Sequence, residues 1–252
     1  MTTVLKLGGS LITDKTGELA VDHDTLTAVC QDIADRSIDE LLIVHGGGSF
    51  GHPVAATYGA SSSEPIVASE GIVSISRAME SLNKAVIDAL HAVNAPAIPV
   101  SARGFAVKQA DGSLSVSSEA IAMAIAEGFI PVTYGEIIPQ AKGGYAIVSG
   151  DELAIALASA LDADAIGLCS DVPGVLDDTD AVIPHITSLE AIEAYLDSPD
   201  GVDVTGGIEA KVDHLLSVPI PSAIFGRESL AAFLSGTLPG TRIGRAGNAD
   251  SF

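Results

Sequence analysis

Three consecutive glycines follow a short apolar run in this chain, and that junction limits what the chain can fold into. Leu41-Leu42-Ile43-Val44 has the length and continuity of a strand buried on both faces. It leads through His45 into Gly46-Gly47-Gly48-Ser49-Phe50-Gly51-His52. Glycines at a strand end let the backbone turn tightly and approach a ligand with no Cβ in the way. Their N–H groups can then converge on one concavity, as in loops that hold phosphate oxygens. His52 ends the stretch with a side chain able to donate a hydrogen bond to an anion near neutral pH. Taken alone, the same residues suit an ordinary strand-to-helix turn with a surface histidine. Recurrence is what gives the signal weight.

The pattern recurs along the chain. Thr3-Val4-Leu5-Lys6-Leu7 ends in Gly8-Gly9-Ser10, with Lys6 near the strand end and Lys15 following in Ile12-Thr13-Asp14-Lys15. By itself Lys15 reads as a solvated loop lysine. Tyr145-Ala146-Ile147-Val148 runs into Ser149-Gly150-Asp151-Glu152, where Ser149 or Asp151 can cap a helix and Asp151 can orient lysines. Ala165-Ile166-Gly167-Leu168-Cys169 precedes Ser170-Asp171-Val172-Pro173-Gly174, either an ordinary turn or a place for nucleotide contacts. Asp203-Val204-Thr205-Gly206-Gly207 opens a helix with Lys211 one turn in, so the helix dipole and a point charge both favour an anion there.

Between these turns the periodicity alternates. Helical spacing is expected over Asp22 to Ser37 (Leu26, Val29, Cys30 and Ile33 on one face), Ile66 to Val93, Ser117 to Glu127 and Ser188 to Leu196. Strands are expected at Ala97–Val100, Phe129–Thr133 and Ala223–Phe225, and a hairpin with a primed turn at Asp111-Gly112. Pro53 to Pro65 reads as a loop over the glycine turns. Strand, helix, strand order predicts an α/β fold with a mainly parallel open sheet, its glycine turns at the carboxyl edge where such folds bind ligands. One domain spanning 1–252 is expected, with lobes at 1–148 and 149–252 meeting near Gly143–Gly150.

Composition narrows the function. The chain carries 33 acidic against 12 basic residues, a formal net charge of −21, with 47% hydrophobic residues and no aromatic-rich tracts. That balance excludes a nucleic-acid footprint. Its scattered acids fit a folded protein adapted to high salt, where the Debye length falls to about 3 Å at 1 M. No apolar run approaches the roughly 20 residues a membrane span needs, and the opening strand follows directly on Met1, so a cytoplasmic location is expected. Cys30 and Cys169 sit apart in apolar contexts and read as core residues. Only six lysines remain, and Lys6, Lys15 and Lys211 all neighbour glycine turns.

No P-loop, nucleophile elbow, zinc spacing or protein-kinase motif set occurs. Cations beside glycine turns, without a covalent nucleophile, suit phosphoryl transfer, where positioning and charge neutralisation carry the catalysis. At this point the motifs show a likeness. Lys6-Leu7-Gly8-Gly9-Ser10, the loop ending in His52, Ser149-Gly150-Asp151, Ser170-Asp171-Val172-x-Gly174-Val175 and Asp203-Val204-Thr205-Gly206-Gly207-x-x-x-Lys211 resemble, in order, the amino acid kinase superfamily. Gly46-Gly47-Gly48-Ser49-Phe50-Gly51-His52 and Ile12-Thr13-Asp14-Lys15 resemble its isopentenyl phosphate kinase family.

The resemblance implies a three-layer αβα amino acid kinase fold, a homodimer, and transfer from ATP to isopentenyl phosphate. Lys6 and Lys15 would neutralise the transferred phosphoryl group, and Lys211 would hold nucleotide phosphates with Asp151 as organiser. Gly8, Gly9, Ser10 and Gly48 would line the triphosphate. Asp171, Gly174 and Gly207 would contact the nucleotide, while Gly47, Gly48, His52 and Gly150 would hold the acceptor phosphate. Mg²⁺ would ride on the nucleotide phosphates, leaving no protein metal ligand. A phosphate monoester is largely dianionic at neutral pH, which gives a histidine donor its use. Two alternatives stay open: a carboxylate kinase of the acetylglutamate or glutamate type, and a nucleotide-binding protein of this fold without turnover.

Overall fold

A computed structural model describes residues 1–14, 17, 19–36, 40–59, 66, 68–190, 192 and 205–244. In chain order these form β1 (Thr3–Leu7), α1 (Gly9–Ile12), α2 (His23–Ala34), β2 (Leu41–His45), α3 (Gly48–Thr57) and α4 (Ser69–Ala92). Next come β3 (Ala97–Pro99), β4 (Ala106–Lys108), β5 (Leu114–Val116), α5 (Glu119–Ala126), β6 (Ile130–Tyr134), β7 (Glu136–Pro139) and β8 (Tyr145–Val148). The chain continues with α6 (Gly150–Ala160), β9 (Ala165–Ser170), β10 (His185–Ile186), α7 (Thr205–Leu216), β11 (Ser222–Gly226), α8 (Leu230–Phe233) and β12 (Thr241–Ile243).

Eight strands make one sheet in the order β10-β12-β11-β9-β1-β2-β6-β3. Every pairing is parallel except β11 with β12. β1 lies at the centre, joined to β2 on one side and to β9 on the other, so the two halves of the chain share a single sheet. The short apolar runs form this sheet because helices cover both faces, and alternate residues of one strand enter different cores. Leu5, Leu41 and Ile43 pack with Leu26 and Val29 of α2 and with Leu82 and Val86 of α4. Val4, Leu42 and Val44 face the other way, onto Leu153 and Leu157 of α6 and Val212 of α7. The result is the three-layer α/β arrangement expected from the periodicity.

Several local readings need correction. Pro53 does not open a loop; it lies inside α3, which runs to Thr57. Ala55 is buried with Ile66, Ile75 and Ile137, and that apolar contact outweighs the helix bond a proline removes. β4 and β5 do pair antiparallel, but Gln109 N–H bonds to the Ser113 carbonyl, so a three-residue connection (110–112) replaces a two-residue primed turn. Gly112 has φ +91° while Asp111 is not in the left-handed region, and a type I′ turn needs positive φ at both central positions. β7 and β8 form a second hairpin, whose β7 arm the periodicity did not single out. Lys15, Asp203, Val204 and most of the helix expected over 188–196 lie outside the described residues.

Candidate active site

The parallel strands end side by side, so their glycine turns meet at the carboxyl edge of the sheet. Backbone bonds extend the strand ladder across them: Gly8 N–H donates to Cys169 at 2.8 Å, Gly46 N–H to Leu7 at 3.0 Å and Gly135 N–H to His45 at 2.9 Å. The turns touch backbone to backbone. A Cβ on Gly9 would sit 2.1 Å from the Gly48 nitrogen, and Gly48 itself has φ +47°. Only glycine meets both demands. Thr13 locks the pair, its hydroxyl donating to the Gly9 carbonyl at 2.8 Å and accepting from Ser49 N–H at 3.1 Å.

A cavity of about 1070 Å³ opens over these turns. Of the residues expected from the sequence, Lys6, Gly8, Gly9, Ser10, Gly47, Gly48, His52, Gly150, Asp151, Asp171, Gly207 and Lys211 all line it. Gly174 stands apart and does not line it. A Cβ there would meet the Thr241 hydroxyl at 2.7 Å, and that hydroxyl accepts from Val175 N–H at 2.8 Å, tying the turn to β12. Lys15 lies outside the described residues, though its neighbour Gly17 borders the cavity.

Charge is concentrated at one point of the cavity wall. Lys6 is only 7% exposed, yet its ammonium lies 2.6 Å from Asp151 Oδ1. Lys211 approaches the other oxygen of the same carboxylate at 3.9 Å. Asp151 thus holds one lysine from the central strand and one from α7, and the trio carries net positive charge inside an acidic protein. The carboxylate is placed by α6, which Ser149 caps by accepting from Glu152 N–H at 3.0 Å. Ser10 hydroxyl donates to Asp171 at 3.2 Å, linking the turns after β1 and β9. The N-termini of α3, α6 and α7 all border the cavity, adding partial positive charge that favours an anion.

The rest of the lining is different in character. His52, exposed on α3, sits beside Pro53 and Ala55, and Ile75 and Met79 of α4 with Ile147 of β8 extend an apolar surface. Glu136 closes this region with 2% exposure, accepting from Ser101 hydroxyl at 2.8 Å and pairing with Arg103 Nε at 2.7 Å. Burial pushes the Glu136 carboxyl upward, opposed by Ser101 and Arg103. Cys169 also borders the cavity, and burial pushes its thiol up to about 12, so it is a packed thiol and not a nucleophile.

Sequence reasoning did not single out Thr13, Gly135, Glu136, Ile75, Met79 or His214 among the lining residues. Tyr134-Gly135 repeats the strand-to-glycine signature and was findable on that basis. Ile75 and Met79 were legible only as part of the α4 stripe, one face of which near the loop could touch a substrate, because the same stripe packs α4 on the core.

Over nearly its whole length the chain is similar to known kinases. The chain is 46% identical over 241 residues to the isopentenyl phosphate kinase of Haloferax volcanii, spanning 95% of this chain and 97% of that one. It is 33% identical over 260 residues to the isopentenyl phosphate kinase of Methanocaldococcus jannaschii, spanning 96% and 98%. Among solved structures, one reported as isopentenyl phosphate kinase superposes with a TM-score of 0.82 at 29% identity, covering 96% of this chain and all of that one. Residues 1–218, which carry the glycine turns and both described lysines of the charged cluster, match the amino acid kinase family, and the chain belongs to that family.

Proposed function

We propose that this chain is an isopentenyl phosphate kinase, transferring the γ-phosphoryl group of ATP to the phosphate of isopentenyl phosphate. One observation carries the reading: a single cavity joins a lysine–aspartate–lysine cluster and glycine turns to a histidine flanked by apolar side chains. An acceptor with an anionic head and a short hydrocarbon tail matches that division. A carboxylate acceptor such as acetylglutamate is polar at both ends and would leave Ala55, Ile75, Met79 and Ile147 facing charge.

In this reading 1–148 is the acceptor lobe and 149–252 the nucleotide lobe. Gly8, Gly9, Ser10 and Gly48 hold the triphosphate, and Asp171 and Gly207 lie toward the rest of the nucleotide, whereas Gly174 serves the turn that packs under Thr241. Lys211 holds nucleotide phosphates, while Lys6 and Lys15 neutralise charge on the phosphoryl group in transit. Gly47, Gly48, Gly150 and His52 hold the acceptor phosphate. Two polyanions must approach each other, so fixed cations between them lower the barrier without any covalent intermediate. Among the described residues no three carboxylate, imidazole or thiol side chains converge as a metal site, and Asp151 is already shared by two lysines. Mg²⁺ is assigned to the nucleotide phosphates, and no step here runs through it. A cytoplasmic homodimer and a preference for high salt belong to the same reading.

ADP release measured with ATP against isopentenyl phosphate, acetylglutamate, glutamate and no acceptor, at low and high KCl, tests it. Turnover on isopentenyl phosphate alone is expected. Turnover only on an amino acid substrate, or on none, defeats the assignment.

A further inference from the structure

His45 is not among the residues that the proposed chemistry uses, yet it sits where three glycine turns meet. It ends β2 with 0% exposure, its ring stacked on Tyr134 at a centroid distance of 5.3 Å. Its carbonyl accepts from Gly135 N–H, and a Cβ on Gly150 would lie 2.9 Å from that same oxygen. Its side chain reaches forward, with Nδ1 3.0 Å from the Gly46 carbonyl oxygen and Nε2 3.2 Å from Oδ1 of Asn83 on α4.

The Gly46 oxygen and the Gly47 N–H belong to one planar peptide unit and point in opposite directions. With glycine on both sides, that plane has no Cβ to resist turning over. Among the described residues, the N–H groups of Gly47 and Gly48 meet no protein acceptor, while both residues line the cavity. Fixing the Gly46 oxygen against a buried ring therefore aims the Gly47 N–H away from that ring.

We propose that His45 is a positioning residue: as a neutral imidazole protonated on Nδ1, it donates to the Gly46 carbonyl and so holds the Gly47 N–H toward the phosphates. Both ring nitrogens face an oxygen, so a neutral ring requires one partner to change, and only the Asn83 amide can exchange its oxygen for a donor. A carbonyl only accepts, so Nδ1 carries the hydrogen, and the neutral ring's Nε2 is left with a lone pair. The Asn83 amide then presents its NH2 to Nε2, reached by a half-turn about its own axis. Burial, reinforced by Lys6 nearby, holds the imidazole down at about 4, so the ring stays neutral while the enzyme works. A cation there would add charge to a site with no carboxylate partner for it.

The role rests on the phosphoryl-transfer reading above, and its test separates the two. His45→Asn keeps an N–H donor at the Nδ1 position; His45→Gln keeps a polar group toward Asn83 but none at Nδ1. Both lose the stack on Tyr134 equally. His45→Asn is expected to keep kcat within about threefold of the parent, and His45→Gln to lose at least about tenfold in kcat with the ATP KM little changed. Equal losses in the two variants, or a parent-like His45→Gln, overturn the proposal. Long-range ¹H–¹⁵N spectra of histidine-labelled parent protein supply a readout independent of turnover and of variant folding. A His45 signal with Nδ1 protonated and Nε2 bare near neutral pH is expected. An Nε2–H tautomer or an imidazolium overturns it. If the parent shows no alkyl phosphate turnover, the functional reading fails while the spectrum still decides the tautomer.

Discussion

Replacing Asp151 with asparagine separates what this carboxylate does for the fold from what it does for the reaction. At 2.6 Å and an effective dielectric of about 20, its attraction to Lys6 is about 6 kcal/mol before desolvation is counted. Removing one member of a buried pair costs about 3–5 kcal/mol, because the remaining charge is left without a partner. Lys6 borders a water-accessible cavity and can be partly rehydrated, so we take the lower end, about 3 kcal/mol. For a chain of this size that lowers Tm by roughly 6–12 °C. Lys211, a third exposed at 3.9 Å, contributes nothing measurable to that figure. The kinetic expectation has the opposite sign for binding. Losing a negative charge from the cluster makes the cavity more attractive to ATP, so the nucleotide Kd should hold or tighten. Yet both lysines lose the group that aims them, and kcat should fall by about a hundredfold. Calorimetric melting, ATP titration and a coupled ADP assay on one preparation read all three. A variant with parental kcat refutes the organising role, and one whose only defect is weaker ATP binding refutes the charge argument.

Four further expectations follow from other parts of the structure. His52→Ala removes a hydrogen bond to a charged phosphate, worth about 1.5–3 kcal/mol, so acceptor kcat/KM should fall roughly 10- to 150-fold with ATP affinity unchanged; an unchanged value removes His52 from acceptor binding. Gly9→Ala puts a methyl 2.1 Å from the Gly48 nitrogen and should cost both stability and activity, whereas Gly104→Ala, with nothing within 4 Å, should cost neither; parallel melting curves check this. Asp22→Ala removes the cap that accepts from Thr25 N–H at 2.9 Å and should cost about 1 kcal/mol at neutral pH. Those hydrogen bonds hold the Asp22 carboxyl below its usual 3.8, so the stabilisation is present above that value and is lost as pH falls through the lower folded one; urea unfolding at neutral and acid pH should show the two proteins converge. With a net charge of −21, Tm should rise between dilute buffer and molar KCl as self-repulsion is screened; a flat profile would argue against salt adaptation.

Much of the architecture was legible because parallel strands advertise themselves. Leu41-Leu42-Ile43-Val44 and Ala165–Cys169 are continuous apolar runs, and only a strand covered on both faces uses them at that length. The α2 face of Leu26, Val29, Cys30 and Ile33 is buried as its spacing required. Local rules failed where distant contacts intervened. Pro53 marks a loop by its own preferences, yet Ala55 two residues on is drawn against Ile75 and Ile137, and the chain stays helical. Asp111-Gly112 has the letters of a primed turn, but Gln109 N–H bonds to the Ser113 carbonyl at 2.8 Å, so three residues make the connection and only Gly112 takes positive φ.

The sequence by itself determined the strand-to-glycine turns, the scarcity of lysine that made Lys6 and Lys211 conspicuous, and the family likeness carried by their order. These are local matters of backbone freedom, composition and spacing. Tertiary structure alone decided that Asp151 serves both lysines, that Gly174 packs under Thr241 instead of bordering the cavity, and that Ile75 and Met79 face a substrate-sized space. The physical reason is that an apolar or charged side chain has the same identity whether it meets the core, a partner or a ligand, and only the fold brings its neighbour to it.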